Sequence, residues 1–378
     1  MKTLTATLLT LGTFATATDS APAPADAFAV QMFSTLAKEQ KGNIVFSPAS
    51  LEAVLRLLKQ GARGNTAAEL AALPMGKTGI KTTISPKSAN ALFIDDSLHL
   101  SPKVKTDKVF VVPFGENNKE AANIINSWCE KQTKGLIPHI LNAKDLSPLT
   151  RLVAANAIYL KAKWCSPFAT EDTQENAVFT MANGTTTTVD MMFQQEEFRY
   201  AEGEDWQAVV LYYQADKRYT PDMQWVGYIG ILPKGDAREF AAALTPQKYQ
   251  DIRKALAEGY PQDTIVYLPR FAVDPGAYSL KPALEACGVT QSFSQAADYR
   301  GFAEGLMLSD VLQRCYVKVD EAGTEAAAVT VAMVEEGCYA SDEETKPKRI
   351  RFDRPFIWVI GDIQSSAAPY FMGLFEKP

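Results

Sequence analysis

Two histidines and five cysteines are the residues of this 378-residue chain best suited to acid–base, nucleophilic or metal chemistry. His99 lies in "SLHL" and His139 in "GLIPHIL". A serine or cysteine nucleophile needs a base within hydrogen-bond reach, and two histidines allow few such constellations. No G-x-S-x-G elbow, H-E-x-x-H zinc helix, phosphate-cradling loop or dinucleotide fingerprint is present. The cysteines, Cys129, Cys165, Cys287, Cys315 and Cys338, are odd in number and widely scattered. That pattern fits neither a disulfide framework nor a metal-ligand spacing. They read as mostly buried free thiols, and neither a metal nor another cofactor is expected. Cys338 differs because it sits in a polar stretch, where a thiol can be oxidised; its acidic neighbours Glu335 and Glu336 blunt that reactivity.

A different kind of chemistry is written in "EAGTEAAAVTVAMVEEGCYASDEETKPK", Glu321 to Lys348. Side chains of a strand alternate between two faces. The even positions are Thr324, Ala326, Ala328, Thr330, Ala332 and Val334, all small or β-branched and uncharged. Glu325 falls on the odd face, and the first even-face charge is Glu336. The segment from Thr324 to about Glu335 can therefore enter a sheet without burying a charge, which would cost several kcal/mol if unpaired. Gly323 supplies backbone freedom at the start. Beyond Glu336 the chain turns polar, as an exposed loop does.

The elements that must position this stretch are legible around it. Helical periodicity runs from Ala25 to Lys38, and "GNIVFSPASLEAVLRLLKQGA" predicts a short strand, Ile44 to Phe46. A helix from Leu51 to Gln60 follows, capped by Ser47 or Ser50 and ended by Gly61. "GNTAAELAAL" predicts a helix capped by Asn65 or Thr66, with Glu69 in its first turn. "SANALFIDDSLHL" reads as a strand, "KEAANIINSWCEKQTKGLI" as an amphipathic helix, and Leu152 to Leu160 as a buried strand before Trp164. Strands dominate later, in "VDMMFQQEEFRYAE", "WQAVVLYYQ", "WVGYIGILP", "TIVYLPRFAVD", "RCYVKVDE", "RIRFDRPFIWVIGD" and "PYFMGLFEKP", with helices at "AREFAAAL", "TPQKYQDIRKAL" and "LKPALEACGV". Helices early and strands late, without βαβ regularity, give an α+β class in one domain.

The formal charge of −6 and pI near 5.3 provide no basic footprint for nucleic acid. The one basic run, Lys346 to Arg351, reads as a solvated face. Residues 1–17, with Lys2, an apolar stretch from Leu4 to Phe14 and Ala15-Thr16-Ala17, read as a secretory signal peptide, followed by a linker over 18–25. The apolar stretch is too short to span a bilayer, and no membrane span is expected. The expected location is secreted, extracellular or periplasmic.

Several blocks, in order, resemble the serpin family: "GNIVFSPAS" with "GARGNTAAEL", "INSWCEKQTKGLI", "NAIYLKAKW", "VDEAGTEAAA" and "FDRPFIWVI…FMGLFEKP". The resemblance covers residues 26–378. It implies a serpin fold of three β-sheets and about eight helices, with an exposed reactive-centre loop over about 322–348. It also implies an inhibitor that is not itself an enzyme: a target serine protease, or a cysteine protease, cleaves the loop and is trapped as a covalent acyl-enzyme when the loop inserts into the main sheet. A non-inhibitory carrier, chaperone or storage protein is the alternative. About a dozen new ladder hydrogen bonds, at roughly 0.5–1.5 kcal/mol each, would release on the order of 10 kcal/mol.

By the same resemblance the hinge is Glu321, Gly323, Thr324, Glu325, Ala326, Ala327 and Ala328. Ser47, Asn156 and Gln313 form the cluster under the opening sheet, where family members commonly carry His in place of Gln313. Trp164 marks the breach at the top of that sheet. Counting from Glu321 puts the scissile bond at Gly337-Cys338; counting back from "FDRPF" lands near Glu344, so extra residues are placed after the cut. Gly337, Cys338 and Tyr339 are the candidates, which suit elastase-like or chymotrypsin-like pockets better than a trypsin-like one. The chain is short between Leu73 and Ala91, where some members carry glycosaminoglycan contacts, so no heparin-type cofactor is expected. A monomer is expected.

Overall fold

The computed structural model describes residues 24–104, 107–216, 218–324, 346–364 and 367–378. In chain order they form α1 (Pro24–Glu39), β1 (Ile44–Phe46), α2 (Pro48–Gly61), α3 (Gly64–Ala72), β2 (Lys87–Asp95), β3 (Val109–Val112), α4 (Asn118–Gln132), β4 (Leu152–Tyr159) and β5 (Ala162–Lys163). Next come β6 (Gln174–Thr180), β7 (Thr186–Glu202), β8 (Trp206–Tyr212), β9 (Gly227–Pro233), α5 (Ala237–Ala243), α6 (Pro246–Glu258), β10 (Pro261–Pro269), β11 (Phe271–Val273), β12 (Tyr278–Ser279) and α7 (Lys281–Ala286). The chain ends with β13 (Asp310–Asp320), β14 (Gly323–Thr324), β15 (Lys348–Arg351), β16 (Phe356–Gly361) and β17 (Phe371–Phe375).

Local chemistry sets many of these boundaries. The Ser47 hydroxyl accepts from Ser50 N, and Pro48 fits the first helical position, so α2 starts before Leu51. Thr245 and Pro246 begin α6 in the same way. α1 begins at Pro24, inside the segment expected to be linker. The strand read through "SLHL" ends sooner, because the Asp95 carboxylate accepts from Ser97 N and Gly115 N and turns the chain. Neither Asn65 nor Thr66 caps α3, which starts after Arg63. Glu69 instead crosses to accept from the backbone of Thr290, Gln291 and Ser292.

Among the described residues the ladders form two continuous hydrogen-bonded networks, because two of the expected three sheets share a strand. One has the order β3-β2-β4-β13-β14-β5, with β11 and β12 on β13. The other runs β1-β17-β16-β9-β8-β7-β10-β15, with β6 on β7. The merger follows from β7, 17 residues without a break. Its middle pairs with β10 from Met191 to Arg199, and its end pairs with β8 from Arg199 to Glu202. The described helices comprise seven α-helices and three short 3-10 turns.

The first sheet positions the site. β4 and β13 are parallel neighbours over seven register pairs, Asp310↔Val153 to Tyr316↔Tyr159. One face of β4 packs Val153, Ala155 and Ala157 under Ala121, Ala122, Ile125 and Cys129 of α4. Parallel strands buried on both faces need a near-continuous apolar run, and all eight residues of β4 are buried. Residues 73–86 contain no helix. Among the described residues no helix is long and apolar enough to cross a membrane.

Candidate functional site

β13 ends in the two-residue turn Glu321–Ala322, and the chain returns as β14. Thr324 stands opposite Val319, and Gly323 opposite Asp320. The other edge of β14 pairs antiparallel with β5, Gly323 with Lys163 and Thr324 with Ala162. The first two residues of the return are therefore already seated between two strands. Gly323 is required by close approach: a Cβ there would stand 2.0 Å from the Ala162 carbonyl oxygen and 2.8 Å from Lys163 Cα.

Hydrogen bonds fix the turn. Asp320 Oδ1 accepts from Ala322 N at 3.1 Å and Gly323 N at 3.2 Å. Trp164 N donates to Ala322 O, and Phe168 N to Glu321 O. Arg270 donates to the Glu321 carboxylate through Nη2 at 2.6 Å and Nε at 3.1 Å, and Thr173 Oγ1 donates at 2.8 Å. Arg270 also pairs with Asp190 at 3.0 Å. Burial alone would raise the Glu321 pKa, but the Arg270 and Thr173 hydrogen bonds outweigh it and hold the carboxyl below its ordinary value.

Thr324 is fully buried, and its hydroxyl shares a 2.5 Å hydrogen bond with the Tyr213 hydroxyl. Burial pushes the Tyr213 phenol far up, so it keeps its proton at any physiological pH. Trp164 stacks on Tyr213 with ring centroids 4.5 Å apart and planes 13° from parallel. Its Nε1 donates to Asp320 O at 2.9 Å. Tyr228 and Phe168 close the ring edge-on. β14 thus begins in a packed aromatic cage.

Ser47, Asn156 and Gln313 meet lower in the sheet, all fully buried. Gln313 Oε1 accepts from Ser47 N at 2.8 Å, and its Nε2 donates to Asn156 Oδ1 at 2.7 Å and Ser47 O at 3.1 Å. Asn156 Nδ2 donates to Asn90 Oδ1 at 2.6 Å and to Ser50 Oγ. Ser50 Oγ in turn meets Ser88 Oγ at 2.8 Å. Glutamine offers both a donor and an acceptor, so this position satisfies both neighbours without a titratable group. The network ties β2, β4 and β13 to the start of α2.

The remaining sequence-derived residues are separate from these clusters. Glu325, Ala326, Ala327, Ala328, Gly337, Cys338 and Tyr339 lie outside the described residues. His99 and His139 are exposed on loops. Of the described cysteines, all free thiols, Cys129 and Cys315 are buried, Cys287 is half-buried and Cys165 is exposed. Burial pushes the Cys129 and Cys287 thiols up to about 12. Among the described residues no group of three or more His, Cys, Asp or Glu could hold a metal ion. Tyr213, Arg270, Thr173, Ser50 and Asn90 were missed by sequence reasoning. They meet the hinge and the cluster across separations such as 111 residues for Tyr213–Thr324, so no local pattern announces them.

The model of the family described as "Serpin (serine protease inhibitor)" matches residues 23–378. A serpin-like protein of Thermococcus kodakarensis is 33% identical, over 93% of this chain and 84% of its own length. The leukocyte elastase inhibitor of Bos taurus is 32% identical, over 93% of this chain and 97% of its own. Among solved structures, Serpin48 of the insect Tenebrio molitor superposes with a TM-score of 0.77 at 24% identity, covering 94% of this chain and 97% of the other. With the family model matched over residues 23–378 and the β13–β14 hairpin, the paired β4 and β13 and the C-terminal strands in place, the chain belongs to the serpin family.

Proposed function

We propose that the chain is a suicide-substrate inhibitor that traps a serine or cysteine protease by inserting its cleaved loop between β4 and β13. The observation that carries this reading is the seating of Gly323 and Thr324 between β13 and β5. An antiparallel return from β13 is also antiparallel to β4, because β4 and β13 are parallel. Continuing the two observed registers puts residue 326 opposite Val317 and Leu160, residue 328 opposite Cys315 and Ile158, and residue 330 opposite Gln313 and Asn156. Gln313 and Asn156 are themselves register partners, so both ladders extend without a shift. The even face would follow Thr324 onto the buried side of β13, where Val311, Gln313, Cys315, Val317 and Val319 point.

The chemistry belongs to the target. Its hydroxyl or thiolate attacks the scissile carbonyl carbon, the C–N bond breaks, and the leaving amine takes a proton from the target's general acid. An ester or thioester joins the target to the loop. Insertion then separates β4 from β13, exchanges one ladder for two and carries the acyl-enzyme away before water completes hydrolysis. The net gain is about one ladder, on the order of 10 kcal/mol for a dozen bonds. No side chain of the inhibitor acts on the reacting bond.

Gly337, Cys338 and Tyr339 suit small or aromatic primary pockets, and an elastase inhibitor among the relatives supports an elastase-like target. Residues 1–17 as a removed leader would place the encounter outside the cytoplasm, which N-terminal sequencing of the exported protein checks. The central test is incubation with elastase-, chymotrypsin-, subtilisin- and papain-type proteases. An SDS-stable complex of summed mass is expected with at least one, and the mass of the released C-terminal peptide fixes the scissile bond. Clean loop cleavage without any complex would contradict the reading and favour a carrier or storage role.

A further inference from the structure

The β4–β13 pair ends over a cavity of about 290 Å³. Its final register pair, Val153 and Asp310, lines the cavity, with Leu312 two residues along β13. Leu146 and Leu149 enter from the connection between α4 and β4, and Phe293 and Leu308 from the stretch that precedes β13. Val153 and Leu146 belong to the apolar cluster under α4, and Leu312 packs against it, so the cavity lies on the α4 side of the sheet. Leu149 is 72% exposed there, although it is a large apolar side chain.

The polar lining is already engaged within the protein. Asp145 Oδ2 accepts from Asn142 N and Nδ2, and Asp310 Oδ1 from Ser279 Oγ at 2.6 Å and Val311 N at 2.7 Å. The Ser147, Thr150 and Ser309 hydroxyls each accept from a backbone N–H. Lys281 Nζ lies over the Phe293 ring, 5.1 Å from its centroid, and 4.0 Å from Glu285. The surface left to an occupant is therefore apolar, and a charged occupant would trade water for groups that already have partners.

We propose that this cavity is the socket of Met333 in the cleaved, inserted loop, and that Met333 is a positioning residue that sets the depth of insertion; the inference rests on the function proposed above. Continuing the two registers of β14 down the gap puts Met333 opposite Val153 on one side and Asp310 on the other, the two residues that now pair with each other. Even residues follow Thr324 to the core side, so the odd ones face α4, as Val153 and Leu312 do. Side-chain size follows the space. Val329 and Val331 come opposite Ala157 and Ala155, which α4 covers, and Met333, the longest apolar side chain of the odd face, comes where the cavity is. An unbranched thioether adapts to such a space. The upper end of the odd face agrees, because the same registers bring Glu325 between the ammonium groups of Lys161 and Lys318. A slip of two residues would bring Val331 or Glu335 to the cavity in place of Met333, so the socket distinguishes one depth from its neighbours.

Melting curves of the full chain test the socket, before and after a cut between residues 337 and 345 by a protease that the chain does not trap, with the cut placed by mass. Met333→Asp is expected to leave the intact form's melting temperature unchanged and to make the rise on cleavage smaller by about 5 °C, the cost of a buried unpaired carboxylate. Met333→Leu is expected to keep the full rise, and exposed Leu149→Asp to lose part of it with the intact form unchanged. A rise as large in Met333→Asp as in the natural chain overturns the socket and leaves the inhibitory reading standing. An equal loss in the intact and cleaved forms would show a general effect on folding and overturns the socket as well. No rise in the natural chain overturns both. Cleaved chains that melt higher but elute at doubled mass in size-exclusion chromatography put the segment in a second copy and overturn the intramolecular occupant.

Discussion

At the scale of single residues, Thr324 and Glu321 hold the β13–β14 turn that the proposed function uses as its hinge. Thr324→Arg places a charge where the hydroxyl meets Tyr213 in a fully buried cage, so seating is blocked. The variant is expected to be cleaved in its loop and to form at least tenfold less complex, measured as the ratio of cleaved chain to SDS-stable complex. Tyr213→Phe removes one partner of the same bond, and a loss of about 1–2 kcal/mol in denaturant stability is expected. Glu321 gives the hinge a pH dependence. Its pKa is depressed below the ordinary 4.5, so its stabilising contribution is complete above that value and is lost as pH falls through the lower folded pKa. The drop in melting temperature between pH 5 and pH 3 is expected to shrink in Glu321→Gln. At this scale Gly323 was legible, but for a different reason: the sequence suggests hinge freedom, whereas the approach of Ala162 O within 2.0 Å of any Cβ excludes other residues. Tyr213 and Arg270 carry no local signal, because burial and long-range pairing alone give them their roles.

Under the proposed function the β4–β13 pair is the element that opens. Its seven register pairs and the Gln313–Asn156 bond stand where the loop would insert. Gln313→Ala leaves Ser47 N and Asn156 Oδ1 buried without this partner. The native state is expected to lose about 1–3 kcal/mol in denaturant unfolding, with faster complex formation because less holds the sheet shut. A slower rate at equal stability would show that Gln313 guides the incoming strand instead. Strand and helix identities were legible wherever periodicity was strong, as in α2, α4 and β4. Boundaries were less so: β2 stops at Asp95 because of a carboxylate turn, and α3 lacks its expected cap because the helix already begins at Gly64, ahead of Asn65 and Thr66. The continuity of β7 across two sheets was not legible, since alternation says nothing of which partner each half will find.

For the whole molecule the question is where the free energy lies. The α+β class followed from the order of helices and strands, and the family from blocks spread over the chain. Neither reports that β4 and β13 are closed on each other while the hinge is already seated beside β5. That arrangement is a long-range fact, and it makes the intact molecule the less stable of two packings under the proposed function. Stability before and after loop cleavage tests this most directly. The chain is cut within residues 325–345 by a protease that it does not trap, and both forms are melted under the same conditions. The cleaved form is expected to melt above the intact one, by roughly 10–15 °C for a gain on the order of 10 kcal/mol. Equal or lower stability after cleavage would show that the loop does not enter the sheet, and would contradict the account.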